Sequence, residues 1–507
     1  MTQSTNDLPG ANPPPEHIPN ATAFFGHPSG LHTLFFLELW ERFSYYGMRA
    51  ILVLFMVAAA EAGGLGLPDA TATAIYGLYT AGVYLLALPG GWIADRLIGQ
   101  QKAVWYGGII IASGHFALAV PSQEMFFLGL VLVVIGTGLL KPNVSTIVGE
   151  LYPEGGSRRD AGFSIFYMGI NVGAFIGPLI CGFLGETVNW HYGFAAAGVG
   201  MLVGLIQYRL TQKNLGRAGL SPHAEETAST RVKLWRSVWG VSGLAVLFVG
   251  LVWAGVLQVN PVAVAGGATG LIVGVAAVYF VYILARGSLV GFEKKQVMAL
   301  ALLFMFSAIF WSGFEQAGSS LNLFAERYTD RMVFGWEAPA AWLQSINPIF
   351  IILLAPAFAA IWVQLGRRNL DPSIPVKFAL GLVSLGIGFG VMAIASVYAV
   401  QGSQVLPTWL ILTYLFHTMG ELCLSPVGLS AVTKLSPKKF LGQMMGLWFI
   451  SIALGNLFAG LLAGRFDDDS LADFPMLFGS VFGVTVIAGV VLLLLTPMLK
   501  RLIGQYQ

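Results

Sequence analysis

The sequence predicts an all-α, polytopic membrane protein, and three observations lead to that prediction. Of the 507 residues, 10 % are charged and 56 % are hydrophobic, whereas an ordinary soluble protein is about 25 % charged. Apolar segments long enough to cross a bilayer as helices recur along the chain. These segments lack the alternating pattern that a membrane β-barrel needs. The composition excludes a soluble enzyme and a disordered protein, and a net charge of +2 argues against a nucleic-acid partner.

Fourteen apolar segments of spanning length follow a polar N-terminal tail. The tail, residues 1–29, is rich in proline and is expected to be flexible and cytoplasmic. It lacks the short apolar stretch and cleavage site of a signal peptide, so the first segment is predicted to be a retained helix. To within a few residues, the segments are predicted at 30–60, 73–95, 102–122, 125–149, 160–185, 191–211, 235–257, 262–285, 296–325, 341–365, 377–400, 407–434, 440–464 and 474–499.

The basic residues distribute unevenly over the predicted loops. Most of the 27 Lys and Arg residues fall on the same side of the membrane as the tail. The opposite side holds only Arg327, Arg331 and Arg465, together with the acidic run 467–469. Because cytoplasmic loops carry an excess of Lys and Arg, this asymmetry places both termini in the cytoplasm. The predicted location is the cell's inner or plasma membrane.

A polar stretch at about residues 212–234 divides the helices unequally. The two segments that follow it contain no charged residue between Arg236 and Arg286 and are interpreted as an inserted hairpin. The predicted units are the tail (1–29), an N-terminal six-helix bundle (30–211), the linker with the inserted transmembrane hairpin (212–290) and a C-terminal six-helix bundle (291–507).

A few charged residues interrupt the apolar segments. They are Glu38, Glu41, Arg42, Arg49, Lys141, Glu315 and Glu421. A charge at the bilayer centre costs roughly 2.5–3.5 kcal/mol on insertion scales, so each needs a partner or a water-filled cavity. In the six-plus-six scheme they lie on the first and fourth helices of each half, which is typical of a transporter with a central site. A structural ion-pair network is the alternative.

The first segment concentrates its polar residues on one face. At 100° per residue, five side chains share a face about 100° wide, and Tyr46 lies beside it. The five are Glu38, Glu41, Arg42, Tyr45 and Arg49. Because a polar stripe on a membrane helix avoids lipid, this face is predicted to look into the protein.

The buried charges do not balance. Four carboxylates accompany three cations, which leaves one negative charge in excess when all are ionised. Either one carboxyl is protonated, or a cation comes from the substrate or from solvent. The count predicts proton coupling with a zwitterionic or cationic substrate, although a sodium ion or structural pairing would also balance it.

Several motifs resemble one transporter family. The run Glu38–Gly47 (ELWERFSYYG) resembles the ExxERFxYYG signature of the proton-dependent oligopeptide transporter family, within the major facilitator superfamily. Three further blocks are similar to that family: 136–145 (GTGLLKPNVS), 166–173 (FYMGINVG) and 420–428 (GELCLSPVG). Residues 90–99 resemble the general facilitator loop motif. The resemblance covers nearly the whole chain and implies the major facilitator fold, with symport of di- and tripeptides and protons into the cell.

The resemblance also implies roles for individual residues. Arg42, Arg49 and Lys141 are expected to meet the peptide carboxylate, and Glu421 its amino terminus. Further residues implied to line the site are Tyr45, Tyr46, Tyr84, Asn171, Trp311, Asn347, Ser425 and Trp448. Proton coupling is assigned to Glu38, Glu41, Arg42, Lys141, Glu315 and Glu421. Arg49–Glu315 and Lys141–Glu421 are the predicted pairs between the halves.

The sequence is also compatible with other interpretations. Animal members of the family carry a His on helix two where this chain has Gly77, so their proton scheme does not transfer. Another proton-coupled facilitator, for nitrate, an amino acid or a drug, is the alternative. An enzyme is not predicted, since HExxH and GxSxG are absent. The expected partners are peptides, protons and membrane lipid; no cofactor, metal, nucleic acid or obligate protein partner is expected.

Overall fold

The computed structural model describes residues 24–153, 156–222, 226–464 and 471–504, and almost all of them are helical. Most of the predicted tail, Arg465 and the acidic run 467–469 lie outside these residues. The first helices are α1 (Ser29–Val57), α2 (Asp69–Ile93), α3 (Gln100–Leu118), α4 (Gln123–Glu150), α5 (Gly156–Gly182) and α6 (Trp190–Thr211). Then come α7 (Ala228–Trp253) and α8 (Pro261–Arg286). The last are α9 (Gly291–Phe314), α10 (Ser320–Tyr328), α11 (Ile346–Arg367), α12 (Ile374–Val400), α13 (Thr408–Leu435), α14 (Leu441–Ala463) and α15 (Phe474–Ile503).

Twelve helices of the described chain are long and apolar enough to cross a membrane. Helices α1 and α3 also coincide with predicted segments but are not among the twelve. In α1 the reason is its charged stripe, because Glu38, Glu41, Arg42 and Arg49 lower its hydropathy. A polytopic helical protein is confirmed, and the strands of the described residues are β1 (Met332–Val333) and β2 (Trp336–Glu337), which pair as a short antiparallel hairpin.

The ninth predicted segment, 296–325, is not one continuous helix. Helix α9 ends at Phe314, a tight turn covers Glu315–Gly318, and α10 starts after Ser319, whose backbone is not helical (φ −121°, ψ −102°). A Cβ atom on Gly318 would lie 2.0 Å from the hydroxyl oxygen of Tyr76 on α2. The break therefore brings the tyrosine against bare backbone, beside the charged residue Glu315.

The helices pack in two groups. Helices α1–α6 form the first group, in which α1 lies against α5 and α6, and α3 against α4. Helices α9–α15 form the second group, in which α12 lies against α13 and α15, and α9 against α14. The groups meet mainly where α2 packs on α14 and α5 on α11. At the first seam a Cβ atom on Gly460 would lie 2.4 Å from the carbonyl oxygen of Thr73, so the two backbones touch.

The inserted helices lie outside both groups. Helix α8 packs on α2 and α14, whereas no residue of α7 is buried. Arg231, at the start of α7, donates to the carbonyl oxygen of Leu97 (3.0 Å), and the Tyr279 hydroxyl donates to Gln443 on α14 (2.5 Å). The insert is thereby attached to both helix groups.

Candidate functional site

Three charged residues of α1 form a compact buried triad. The Arg42 Nε atom donates to Glu41 Oε2 and lies 3.2 Å from Glu38 Oε1. All three side chains are at most 5 % exposed. Because one guanidinium faces two carboxylates, the ionised triad carries one negative charge in excess. The Glu38 Oε2 atom has no hydrogen-bond partner among the described residues, and Lys141 is a further cation close enough to attract the Glu38 carboxylate.

A second ion pair joins the two helix groups. Arg49 Nη2 on α1 lies 2.5 Å from Glu315 Oε2, at the turn after α9, and Arg49 Nε donates to the Tyr76 hydroxyl. The predicted Arg49–Glu315 pair is present in the structure. Both side chains are buried, so breaking the pair without a replacement would leave an uncompensated charge.

Lys141 and Glu421 stand apart from these pairs. The Lys141 ammonium on α4 lies 4.1 Å from the centre of the Tyr84 ring, and Asn347 Nδ2 donates to Glu421 Oε2 on α13 (3.2 Å). Both charged residues are half-buried. Within the described chain neither has an oppositely charged group within 4.0 Å. The predicted Lys141–Glu421 pair is therefore wrong for this conformation, because each side chain is held by a neutral neighbour of its own helix group.

Tyrosine rings surround the cations. The Arg42 guanidinium lies 5.1 Å from the Tyr45 ring, and that of Arg49 lies 5.8 Å from Tyr46 and 5.5 Å from Tyr76. Such contacts stabilise a cation away from water without neutralising it. Tyr79 stacks on Tyr45 with ring centroids 6.3 Å apart. The sequence prediction missed Tyr76 and Tyr79, although their spacing of three residues on α2 places them on one helix face.

The other predicted lining residues occupy two kinds of environment. Asn171 is buried and its Nδ2 donates to the carbonyl oxygen of Tyr167 in its own helix (2.9 Å). Trp311 and Trp448 are buried among aromatic side chains, with Trp448 6.0 Å from Phe378. The half-buried members are Tyr46, Tyr84, Asn347 and Ser425. A substrate contact of the two tryptophans stays a prediction.

The helix groups are fastened together on one side of the molecule. We call the side where α1 passes into α2 the loop side, and the side where α1 begins the tail side. On the loop side Arg327 donates to both carboxylate oxygens of Asp69 (2.7 and 2.8 Å). Glu186, in a turn of helix that extends α5, accepts from the backbone N–H groups of Ala340 and Ala341 (2.7 and 2.9 Å). Among the described residues we find no hydrogen bond between the groups on the tail side, so the site is closed toward the loop side.

The comparisons with known proteins identify the family. The POT family model matches residues 101–477. The chain is 43 % identical to the peptide transporter YePEPT of Yersinia enterocolitica over 501 residues, which cover 97 % of this chain and 98 % of that protein. This chain belongs to the POT family. It is also 37 % identical to a di-/tripeptide transporter of Lactococcus lactis subsp. cremoris, with 95 % and 97 % of the chains covered.

A solved structure agrees with this assignment. The crystal structure of the peptide transporter POT in complex with sulfate has a TM-score of 0.88 and 44 % sequence identity, and the match covers 95 % of this chain and 96 % of that one. POT family proteins are transporters and not enzymes, so the charged site belongs to a transport protein.

The Asp69–Arg327 pair provides a test of the closed side in this POT transporter. We expect Asp69→Asn to shift the population toward a loop-side-open state by roughly tenfold, because a hydrogen bond to a charged group stabilises by about 1.5 kcal/mol at the lower end. Distances between spin labels at exposed residues 62 and 333 measure that opening by pulsed electron paramagnetic resonance. Asp371→Asn is the matched control, since the Asp371–Lys377 pair (2.8 Å) lies within the second helix group. An unchanged distance distribution in Asp69→Asn would show that the pair does not hold the loop side closed.

Proposed function

We propose that this POT family protein is a proton-coupled symporter that carries di- and tripeptides into the cell by alternating access. The observation that carries the proposal is the separation of Lys141 and Glu421. They are a cation and an anion on different helix groups, half-buried, and neither is neutralised by an ion pair within the described chain. A short peptide is a zwitterion, so its carboxylate would bind at Lys141 and its ammonium at Glu421. The peptide transporters among its relatives support this substrate class.

The paired charges supply the proton step in this proposal. The triad Glu38, Glu41 and Arg42 has one carboxylate more than its single cation can balance, so uptake of one proton makes it neutral. The proton gradient then supplies the free energy for uphill transport, and no cofactor is required. A bound sodium ion would balance the same excess charge. The uptake experiment described below distinguishes sodium coupling from proton coupling.

Alternating access follows from the contacts that close the loop side. The loop side can open only when Arg49–Glu315 and Asp69–Arg327 separate, because both pairs join the helix groups. In the proposed cycle, protonation of Glu315 would release Arg49, which is then free to bind the peptide carboxylate. Binding thereby favours one conformation over the other through a difference in contacts.

The proposed topology has both bundles and all fourteen long helices in the membrane. Helices α1 and α3 are included because both pack within the first group: α1 lies against α5 and α6, and α3 lies against α4. The layout is that of a major facilitator, with bundles α1–α6 and α9–α15 and the inserted pair α7–α8. The excess of Lys and Arg on the tail side assigns that side, with both termini, to the cytoplasm. In a bacterial cell the membrane would be the inner or plasma membrane.

The deciding experiment measures uptake into proteoliposomes. With an alkaline lumen and no sodium, we expect accumulation of labelled Ala-Ala above equilibrium, and loss of accumulation when a protonophore collapses the gradient. Unlabelled tripeptide should compete, whereas alanine and nitrate should not. Uptake of nitrate or alanine in place of Ala-Ala would support the alternative of another small solute. Accumulation that requires sodium and ignores the protonophore would refute proton coupling.

A further inference from the structure

The hydroxyl group of Thr418 can interact with Asn347 only as a hydrogen-bond acceptor. Thr418 lies on α13, one turn before Glu421, and is fully buried. Its Oγ1 atom lies 2.7 Å from the carbonyl oxygen of Tyr414, which can only accept a hydrogen bond. The single hydroxyl hydrogen is therefore committed to Tyr414. Toward any other neighbour, Thr418 Oγ1 must act as an acceptor.

This restriction determines the orientation of the Asn347 amide. The amide atom next to Thr418 Oγ1 lies 2.9 Å away and must be a donor, so it is Nδ2 and not Oδ1. The same Nδ2 atom donates to Glu421 Oε2 at 3.2 Å, which uses both of its hydrogens. The reverse orientation would set the amide oxygen against a carboxylate oxygen and a hydroxyl lone pair. The hydrogen-bond chain thus runs from Asn347 to Thr418 and from Thr418 to Tyr414.

The polar atom left for a ligand is the Asn347 carbonyl oxygen. Both hydrogen bonds of the Asn347 side chain are donated by Nδ2, so Oδ1 has no hydrogen-bond partner among the described residues, and the residue is half-buried. Next to it stands the Glu421 carboxylate, which also only accepts. Two acceptors side by side bind a group that presents several N–H hydrogens and repel a carbonyl oxygen.

We propose that Thr418 is a positioning residue which holds Asn347 with its carbonyl oxygen outward, so that Asn347 and Glu421 form an acceptor-only subsite for the substrate ammonium. This inference rests on the proposed function and deepens it, because it explains how one end of the site distinguishes a free amine from an acylated one. Thr418 touches no substrate itself. It acts through the orientation of the amide.

Thr418→Val tests the inference, because valine has the shape of threonine without the hydroxyl. We expect the KM for Ala-Ala to rise about 3- to 10-fold, the range that loss of one neutral hydrogen bond gives. The maximal rate of counterflow should stay near that of the wild type, and the preference for Ala-Ala over N-acetyl-Ala-Ala should fall. Thr418→Ser, which keeps the hydroxyl, should restore both values.

Thr413→Val is the matched control. Thr413 lies on the same helix and is fully buried, and its only hydrogen bonds to described residues are to the backbone oxygens of Trp409 and Gly388. An equal loss of amine preference in Thr413→Val, or no loss in well-folded Thr418→Val, would overturn the positioning role. Failure of the wild type to take up Ala-Ala would instead refute the proposed function.

A second measurement does not depend on transport. In protein labelled with ¹⁵N-asparagine, Asn347→Asp identifies the side-chain NH₂ signals of Asn347. We expect the chemical shifts of those two protons to change in Thr418→Val and to return to the wild-type values in Thr418→Ser, because one of the protons is hydrogen-bonded to the Thr418 hydroxyl oxygen. Signals that are the same in wild type and Thr418→Val would show that the amide is not held by Thr418.

Discussion

Glu421→Gln is expected to lower the uptake of free-amine dipeptides about 10- to 150-fold, since a hydrogen bond to a charged group contributes roughly 1.5–3 kcal/mol. The glutamine keeps an acceptor for Asn347 Nδ2 but removes the negative charge that Glu421 presents without an ion-pair partner in the described chain. Initial rates for Ala-Ala and N-acetyl-Ala-Ala, measured as kcat/KM in proteoliposomes, should become similar in this variant. The wild type should strongly prefer Ala-Ala.

Lys141→Gln is the matched partner of that variant. Lys141 lies against the Tyr84 ring and forms no ion pair within 4.0 Å in the described chain, and in the proposed function it binds the peptide carboxylate. We expect this variant to lose the preference for Ala-Ala over Ala-Ala-amide and to keep the preference for a free amine. Glu421→Gln should show the reverse pattern. If both variants lose both preferences equally, the two residues do not bind opposite ends of the substrate.

Glu41→Gln is expected to abolish proton-driven accumulation, to below about one tenth of the wild-type level, while preserving counterflow. Because the triad carries one excess carboxylate, replacing Glu41 by a neutral amide leaves Arg42 paired with Glu38 alone. The triad is then neutral in every step and has no reason to take up a proton. Accumulation of Ala-Ala under an imposed pH gradient and exchange of Ala-Ala at equal pH measure the two activities.

Two further variants serve as a parallel test and as a control for Glu41→Gln. Glu38→Gln should behave as Glu41→Gln does, because either amide removes the same excess charge. Glu124→Gln should behave as the wild type, since Glu124 is exposed at the start of α4 and bonds to Ser122. Undiminished uphill accumulation in Glu41→Gln would remove the triad from the coupling mechanism.

The sequence predicted the α1 face well, because that face depends only on helical spacing. Glu38, Glu41 and Arg42 share it, and they form one buried cluster in the structure. Arg49 on the same face reaches Glu315, as predicted. By contrast, Tyr76 lay outside the prediction, because its role depends on the break after α9 that lets it approach Gly318 and Arg49 together.

The pairing of Lys141 with Glu421 was wrong for an instructive reason. Opposite charges on the two halves suggested a pair, but the sequence does not show how far apart the two side chains lie in the folded protein. In the structure Lys141 lies against the Tyr84 ring and Glu421 accepts a hydrogen bond from Asn347. Contacts such as Arg327–Asp69 join the helix groups on the loop side. Thr418 was overlooked since a buried threonine usually bonds to its own helix, and only the position of α11 gives it a second partner.

The amino-acid sequence alone is enough to identify a helical membrane protein whose apolar segments hold seven charges with one carboxylate in excess. Burying an uncompensated charge in the membrane costs free energy in any arrangement of the helices. The excess carboxylate therefore predicts a bound proton or cation before the packing is known. Which of these charges form ion pairs depends on the packing of the helices. Arg49 and Glu315 are 266 residues apart, and contacts over such separations depend on how helices pack. That packing places two carboxylates beside one guanidinium in the triad and leaves Lys141 and Glu421 without an ion pair within 4.0 Å in the described chain.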